Sequence, residues 1–313
     1  MTSSELLPAN SAMGAVTLWV SDLDGMIKFY QNGVGLTLLS LENSKATLGH
    51  GSNLILILEQ KSGIKHASPR DAGLFHTAIL FSSQSALAKS VLSVLQKYPG
   101  KFTGSADHLV SKAFYFDDPE GNGVELYWDR DRSEWSWVHG SIEMDTIFLD
   151  VNNFLQENLS NEIIDEDKKV GHVHLSVGSI PAAEEFYVKM LGFEKTLNWG
   201  SSALFVSAGG YHHHMAMNTW RSQGAGQRQL ALGLGNVEIK LENEDQLTET
   251  KDRLNFHKSG QINGQAEAGR IVMVSKAKGG VAPFVLVEQL ESAYTHTPEG
   301  VALTTWRGEL VQH

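Results

Sequence analysis

Imidazole and carboxylate side chains occur at four places in this 313-residue sequence where they could do chemistry. His76 and His172 each stand in an alternating segment, Glu125 follows a turn-forming stretch, and three histidines adjoin one another at 212–214. The chain has no cysteine, so any metal ion would need histidine and carboxylate ligands. Histidine also titrates near neutral pH and can move protons. Metal binding and acid–base catalysis are therefore the chemistries that these segments could support.

The strand that would carry His172 belongs to a pattern that occurs twice. The segment 171–177 alternates as a β-strand does, and Phe186 follows it in the next stretch of chain. Near the N-terminus, the spacing from Ala15 to Phe29 is identical to the spacing from His172 to Phe186. In both copies a Phe-Tyr pair precedes an apolar-Gly-apolar stretch in the same register. Self-similarity of this kind indicates duplicated structural units.

Two more divergent units complete an α+β fold of four βαβββ modules. The modules are predicted near residues 10–60, 72–130, 168–220 and 228–291. The first two form an N-terminal pair at 10–130, and the last two form a C-terminal pair at 168–291. Residues 131–167 are predicted as a linker, and 292–313 form a tail with no assigned role.

Helices and strands inside the modules follow from hydrophobic periodicity and from helix-terminating residues. Helices are predicted at 84–97, 182–190 and 245–255. A strand is predicted at 212–217, and a strand at 283–288 closes the fourth module. If 212–217 is a strand, the side chain of His213 points away from those of its two histidine neighbours.

The composition excludes several classes of partner. The net charge of −11 argues against nucleic acid, whose phosphates need lysine and arginine, and against anionic membranes. The first residues lack the basic start and apolar core of a signal peptide, and apolar runs fall short of a membrane helix. We therefore expect a cytoplasmic protein. The sequence allows a homo-oligomer without specifying one.

These motifs resemble those of the vicinal oxygen chelate superfamily, which includes glyoxalase I, fosfomycin-resistance enzymes, bleomycin-binding proteins and extradiol dioxygenases. One motif is His-x-x-Leu-x-Val at 172–177, with the Phe-Tyr pair following its histidine at the repeated spacing. The other is Asp-Pro-x-Gly-Asn-x-x-Glu at 118–125. The resemblance covers almost the whole chain. It implies two barrel-like clefts, each built from two modules.

The resemblance also implies that His76, Glu125 and His172 bind one divalent metal, with Fe(II) expected and Mn(II) as an alternative. Two imidazoles and one carboxylate form the facial triad of non-haem Fe(II) oxygenases, which leaves positions open for a diol and O2. Modules one and four carry no such ligands. We therefore predict that module two pairs with module three, out of sequence order, and leaves one and four as the other pair.

Other residues receive roles from the similarity to extradiol enzymes of the catechol 2,3-dioxygenase type. His213 is expected to be the acid–base residue. Tyr115, ten residues before the metal glutamate, is expected to donate a hydrogen bond to a substrate oxygen. His108 is a further catalytic candidate whose spacing to Tyr115 departs from the family. His174 shares a strand face with the metal histidine two residues earlier, so it could be a competing ligand, bind substrate or support the ligands.

The expected reaction is cleavage of a small aromatic diol by O2 next to a hydroxyl-bearing carbon. One alternative is a glyoxalase-type isomerase or lyase, whose metal commonly has two glutamate ligands, whereas the fourth position here is expected to be His213. Another is a non-enzymatic protein of the same fold that binds an aromatic drug. Catechol, a substituted catechol and a hydroquinone all remain open as the diol. Trp199, Phe205 and Trp220 could line an aromatic pocket or belong to the core, and two of the three are expected in the core.

Overall fold

The computed structural model describes residues 6–160, 167–226, 228–259, 270–275 and 284–287. The first module contains β1 (Ala12–Val20), α1 (Leu23–Lys28), β2 (Thr37–Glu42), β3 (Lys45–His50) and β4 (Asn53–Gln60). The second contains β5 (Gly73–Phe81), α2 (Gln84–Lys97), β6 (Phe102–Asp107), β7 (Ser111–Asp117) and β8 (Gly123–Asp129). Between the second and third modules lie a 3-10 turn (Arg132–Glu134), β9 (Trp137–Val138), β10 (Ser141–Ile142), β11 (Ile147–Phe148) and α3 (Val151–Asn158).

The third module repeats the order of elements of the first two, and the described part of the fourth has one strand fewer. The third module contains β12 (Lys168–Ser176), α4 (Ile180–Glu184), β13 (Glu194–Asn198), β14 (Ala203–Ser207) and β15 (Met215–Asn218). The fourth contains β16 (Gly233–Leu241), α5 (Glu244–Ser259), β17 (Arg270–Ser275) and β18 (Phe284–Val287). Among the described helices, none is long and apolar enough to cross a membrane.

The strands form two large sheets that join the modules out of sequence order. The nine-stranded sheet has the order β11-β6-β7-β8-β5-β12-β15-β14-β13, so modules two and three meet at the antiparallel pair β5 and β12. The seven-stranded sheet has the order β18-β17-β16-β1-β4-β3-β2, so modules one and four meet at β1 and β16. The predicted α+β fold of four modules, with two and three paired, is confirmed.

The two Phe-Tyr pairs that mark the repeat pack in the same way. The rings of Phe29 and Tyr30 lie 5.1 Å apart at 87°, and those of Phe186 and Tyr187 lie 5.0 Å apart at 87°. All four residues are buried. Each pair sits on a π-helical turn that continues the module's helix, at Phe29–Val34 and at Glu185–Met190. The repeated sequence therefore encodes a repeated core contact.

Several local predictions require correction or fall outside the described residues. The helix predicted at 182–190 begins at Ile180 and changes to the π-helical turn at Glu185. The strand predicted at 212–217 begins only at Met215, so the histidine run lies in a loop. The ends of the strand predicted at 283–288, and the tail 292–313, lie outside the described residues.

The described part of the segment predicted as a linker packs onto the second module. Strand β11 pairs antiparallel with β6 and extends the nine-stranded sheet by one strand. In α3, the buried ring of Phe154 lies 4.7 Å from the ring of Phe114 on β7. Residues 131–160 are therefore structured against the sheet rather than a free spacer between the halves.

The turn that precedes β8 is attached to the first module. The hydroxyl of Tyr30 donates to Oδ2 of Asp118 over 3.1 Å, and both groups are buried. The backbone N–H groups of Ser21 and Asp22 each donate to Oε1 of Glu120 over 2.7 Å. The first module thus holds the turn that begins β8 of the nine-stranded sheet.

Candidate metal centre

The position of Glu125 is set by the turn at 118–122. One carboxylate oxygen of Asp118 accepts the backbone N–H groups of Glu120 and Asn122, each over 2.9 Å, and the other accepts the Asn122 side-chain amide. These bonds close the turn, as the Asp-Pro-x-Gly-Asn sequence predicts. A Cβ atom on Gly123 would collide with a carbonyl oxygen of β5, so glycine lets β8 start close against that strand. Glu125 then lies on the central part of the sheet.

Strand register brings the three expected metal ligands together. Ala78 on β5 is the Cα partner of Glu125 on β8 and of His172 on β12. His76 is two residues before Ala78 and so lies on the same face of β5. Nε2 of His76 lies 2.9 Å from Glu125 Oε2, and Nε2 of His172 lies 3.1 Å from the same oxygen. The three side chains are buried, with 6%, 2% and 2% exposure for His76, Glu125 and His172.

This group has the spacing and chemistry of a metal site. Ligand atoms that bind one ion at about 2.1 Å and at right angles lie about 3 Å apart, close to the separations seen here. Nε2 of His76 is buried and, despite its closeness to Glu125, makes no hydrogen bond to a described residue. A buried nitrogen without a hydrogen bond is costly unless something else binds it. Among the described residues the group consists of His76, Glu125 and His172 alone.

The electrostatics of the group favour the protonation states that bind a metal. Burial opposes ionisation of Glu125, but the neighbouring His172 and His76 outweigh it and hold the pKa of Glu125 well below its usual value. Burial lowers the pKa of His172, partly offset by Glu125. Glu125 is therefore ionised and His172 neutral near pH 7. A metal ion requires a carboxylate and a neutral imidazole in these forms.

His174 lies beside the metal group and is not a member of it. Its ring centroid is 4.9 Å from that of His76. The side-chain amide of Asn218 donates to Nε2 of His174 over 3.1 Å, since that amide nitrogen has no lone pair to offer. Burial holds the pKa of His174 well below its usual value, so the ring is neutral. Its role as a competing ligand, in substrate binding or in support of the ligands stays a prediction.

Tyr115 and His108 form a hydrogen-bonded pair on one side of the group. Nδ1 of His108 lies 2.6 Å from the carbonyl oxygen of Asp145, so Nδ1 carries the proton and donates. Nε2 of His108 lies 2.6 Å from the Tyr115 hydroxyl and, in the neutral ring, accepts from it. Burial and Glu125 raise the pKa of Tyr115 well above its usual value, so the phenol stays protonated. In this arrangement the Tyr115 proton goes to His108 and not to a substrate oxygen as expected, and the oxygen of Tyr115 is able to accept a hydrogen bond from a bound hydroxyl group.

His213 lies on the opposite side, in the loop before β15. Its ring centroid is 4.1 Å from that of His172 and 5.2 Å from that of Phe205. Burial, and then the neighbouring histidines, hold the pKa of His213 well below its usual value. The expected alternation along a strand is wrong here. Nδ1 of His212 lies 2.8 Å from Nδ1 of His213, so these two rings share one cluster.

The last histidine of the run is hydrogen-bonded to the neighbouring chain. Nδ1 of His214 accepts the backbone N–H of Ala208 over 3.2 Å, which ties the end of the run back to the end of β14. Burial lowers the pKa of His214 to about 3, so this acceptor stays unprotonated. The third histidine is therefore a structural residue of the loop, and the strand begins only after it.

A single cavity of about 640 Å³ brings the expected site residues together. Its walls include all seven: His76, His108, Tyr115, Glu125, His172, His174 and His213. Trp199, Phe205 and Trp220 also line it. The two tryptophans are 38% and 48% exposed, so the expectation that two of these three aromatic residues belong to the core is wrong.

Sequence reasoning did not identify a second group of polar residues behind the histidines. Asp129 accepts from Nε2 of His212 over 2.9 Å and from the hydroxyl of Tyr211 over 2.7 Å. One signal was present in the sequence. Asp129 is four residues after Glu125 on the same strand, and an even spacing puts both carboxylates on one face.

Comparison with known proteins agrees with this geometry. The model of the glyoxalase/bleomycin resistance protein/dioxygenase superfamily matches residues 12–126. A catechol-2,3-dioxygenase of Bacillus subtilis (strain 168) is 34% identical over 249 residues, which cover 77% of this chain and 87% of that protein.

Solved structures show the same fold at low identity. A Bacillus subtilis (strain 168) protein provisionally named a dioxygenase has a TM-score of 0.59 at 12% identity, and the match covers 90% of this chain and 83% of that one. A glyoxalase I variant from Zea mays has a TM-score of 0.51 at 18% identity, and the match covers 89% of this chain and 90% of that one. Fold, motifs and identity agree: the chain belongs to the glyoxalase/bleomycin resistance protein/dioxygenase superfamily, in its catechol-2,3-dioxygenase branch.

Proposed function

We propose that this protein is an Fe(II)-dependent extradiol dioxygenase that opens the ring of a catechol-type diol with O2. The observation that carries the proposal is the buried group of His76, Glu125 and His172 in the wall of an aromatic-lined cavity. The relative with 34% identity is a catechol-2,3-dioxygenase, which supports the same reaction class. Mn(II) accepts the same ligand set and is the alternative ion. A cytoplasmic role in the breakdown of aromatic compounds is part of the proposal.

The three ligands would hold the ion, and the surrounding residues would handle the diol. When bound, the ion supplies Lewis acidity toward the diol oxygens and mediates their reaction with O2. His213 is neutral because burial lowers its pKa, so it is able to accept a proton from a diol hydroxyl. On the other side, the oxygen of Tyr115 accepts a hydrogen bond while its own proton goes to His108. The diol would thus be oriented between His213 and Tyr115.

The cavity has the size and the walls that a small aromatic molecule needs. Its volume of about 640 Å³ lies within the roughly 300–1,000 Å³ typical of small-molecule sites. The rings of Phe75 and Trp220 lie 5.2 Å apart and edge-to-face, and the ring of Phe205 lies 5.9 Å from that of His174. Such aromatic walls offer edge and face contacts to a flat ring.

The glyoxalase-type alternative needs more ligands than this group provides. Among the described residues the metal group has one carboxylate, and the neighbouring wall offers His213 where a second glutamate would be needed. A metal-free drug-binding protein would have no ion for the buried group of His76, Glu125 and His172 to bind. Both observations favour a three-ligand site and the dioxygenase reaction.

The test is oxygen consumption by the protein loaded anaerobically with Fe(II). Catechol, a substituted catechol and a hydroquinone are added in turn, air is admitted, and O2 uptake and near-visible absorption of a ring-opened product are followed. We expect turnover with at least one diol and none in Glu125→Gln. Glu238→Gln is the matched control, since Glu238 is a largely buried glutamate of the other sheet that accepts from the backbone of Ala15. Iron-loaded protein that ignores all three diols but converts a hemithioacetal would contradict the proposal.

A further inference from the structure

A chain of hydrogen bonds runs from Asp129 to His213. Oδ1 of Asp129 lies 2.9 Å from Nε2 of His212, and Nδ1 of His212 lies 2.8 Å from Nδ1 of His213. Oδ2 of Asp129 accepts the hydroxyl of Tyr211 over 2.7 Å. His212 is fully buried and His213 nearly so. We call Asp129, His212 and His213 the histidine relay.

The donors and acceptors of the relay follow from the carboxylate at its end. The oxygens of ionised Asp129 only accept, so Nε2 of His212 carries a proton and donates it. In the neutral tautomer of His212 that donates to Asp129, Nδ1 has a lone pair and accepts. Nδ1 of His213 therefore carries the proton in the second bond. The other nitrogen of His213, Nε2, is left unprotonated.

The rings around His212 hold the relay in this orientation. The ring of Tyr211 lies 4.0 Å from that of His212 and is tilted by 35° relative to it, and the ring of Trp135 lies 5.2 Å away. The guanidinium of Arg132 lies 5.5 Å from the Trp135 ring on the outer side. His212 is packed between aromatic rings and hydrogen-bonded at both nitrogens. A flip of its ring would break both bonds.

We infer that Asp129 and His212 are positioning residues that fix the tautomer of His213, so that its unprotonated Nε2 serves the cavity that His213 lines. The catalytic use of this nitrogen rests on the proposed function, whereas the tautomer itself does not. In the proton transfer, an O–H bond of the diol breaks and an N–H bond forms at Nε2 of His213. The charge that develops on His213 is balanced through His212 by Asp129. The proton is returned later, so the step consumes no oxidant or reductant.

The inference is tested by locating the histidine protons with ¹⁵N NMR of histidine-labelled protein, both metal-free and with Zn(II). Wild-type protein should carry the His213 proton on Nδ1. In Asp129→Asn, the amide oxygen can accept from Tyr211 and the amide N–H can donate to Nε2 of His212. The bond direction then reverses, and the His213 proton should move to Nε2.

The same variant should separate proton transfer from binding. With Fe(II) and a diol substrate, Asp129→Asn should lower kcat by roughly 100-fold or more, the range for loss of a general base, while KM and metal content stay close to wild type. Tyr211→Phe is the matched control. It removes the other hydrogen bond to Asp129 but leaves the bond to His212, so the wild-type tautomer and a kcat within a few-fold are expected.

Several results would overturn the inference. The first is a wild-type spectrum with the His213 proton on Nε2. The second is an Asp129→Asn protein with an unchanged tautomer. If Asp129→Asn does not fold, His212→Phe replaces it, and an undisturbed His213 tautomer there has the same meaning. A protein inactive on every diol whose tautomer nevertheless switches would contradict the proposed function and leave the relay standing.

Discussion

The two sheets have the same construction but different side chains at the three metal-ligand positions. In the nine-stranded sheet, Ala78 has Glu125 and His172 as its strand partners. In the seven-stranded sheet, Thr17 occupies the matching place on β1 and has Ile57 and Asn236 as partners. Two residues before these central positions stand His76 in one sheet and Ala15 in the other. The seven-stranded sheet therefore carries Ala15, Ile57 and Asn236 where the other carries His76, Glu125 and His172.

The comparison shows that the scaffold and the chemistry are separable. Both sheets pair their first strands antiparallel and bury apolar residues around them, and only three side chains decide which one has metal donors. The half of the molecule without metal ligands still positions one of them. Tyr30 and Ser21 of the first module donate hydrogen bonds to Asp118 and Glu120 in the turn that begins β8.

The largest effect, on metal affinity, is expected when a metal ligand is replaced by the residue at the matching position of the seven-stranded sheet. His172→Asn should weaken metal binding by more than roughly 100-fold, because loss of a ligand exceeds the 10–100-fold cost of losing an outer partner. Metal content after equilibrium dialysis measures this. The reciprocal change, Asn236→His, should add no second metal, since Ala15 and Ile57 offer no donor atoms. A second bound equivalent in Asn236→His would contradict the position-by-position match.

Metal removal should destabilise the protein because the ligands of the nine-stranded sheet lose their ion, and residues of the other sheet should not affect this loss. Binding to the folded state alone adds about 2.7 kcal/mol at a free metal concentration 100 times Kd. A chelator should therefore lower the Tm of wild type and of Asn236→Ala by several degrees. It should leave the Tm of Glu125→Gln unchanged. A chelator shift that persists in Glu125→Gln would place the metal elsewhere.

The hydrogen bond from Tyr30 to Asp118 should contribute to the free energy of unfolding in a pH-dependent way. Burial raises the pKa of Asp118 to about 6, although hydrogen bonds from Asn122 and Tyr30 oppose the rise. The folded state thus binds this proton more tightly than the unfolded chain, and the associated stability is complete below about pH 4 and is lost as pH rises through 6. Tyr30→Phe removes a hydrogen-bond donor to ionised Asp118, so the pKa of Asp118 should rise further.

The consequence for Tyr30→Phe is a stability loss that grows with pH. We expect little change in the free energy of unfolding near pH 5 and a loss of about 1–2 kcal/mol near pH 8. Urea unfolding at both pH values measures it. In the Asp118→Asn background the effect of Tyr30→Phe should not vary with pH. An equal loss at both pH values in the wild-type background would show that Asp118 does not titrate in this window.

The smallest effect is expected from Asn236→Ala. Oδ1 of Asn236 is buried without a hydrogen bond to a described residue, so its removal should change stability by less than about 1 kcal/mol and could be favourable. Metal content and kcat should match wild type. Thermal unfolding with metal analysis checks both. A drop in metal content would mean that the seven-stranded sheet contributes to the site.

The fold and the pairing of modules could be predicted from sequence because the repeat and the uneven distribution of ligands are both visible there. Helix α2 was predicted at its observed bounds, since its periodicity is regular and Ser83 caps it. The convergence of His76 and His172 followed from their equivalent places on first strands. These features depend on local sequence pattern and on the pairing of module two with module three.

The histidine run was not predictable in the same way. Alternation along a strand holds only where the strand exists, and β15 begins at Met215, after the histidine run. The role of Asp129 needs the distance from β8 to that loop, which no local pattern encodes. The same limit applies to Trp199 and Trp220, because hydrophobicity does not say whether an aromatic residue faces a core or a cavity.

The nested pairing of the modules also fixes the order in which the halves become complete during synthesis. The strands of the nine-stranded sheet lie within residues 73–218, one continuous stretch of chain. Strand β1 ends at Val20, but its partner β16 begins only at Gly233, after that whole stretch. At about 5–20 residues per second, β1 waits on the order of ten to forty seconds on the ribosome for that partner. The half that carries the metal ligands is finished first, and the open edge of the nascent chain belongs to the half without them.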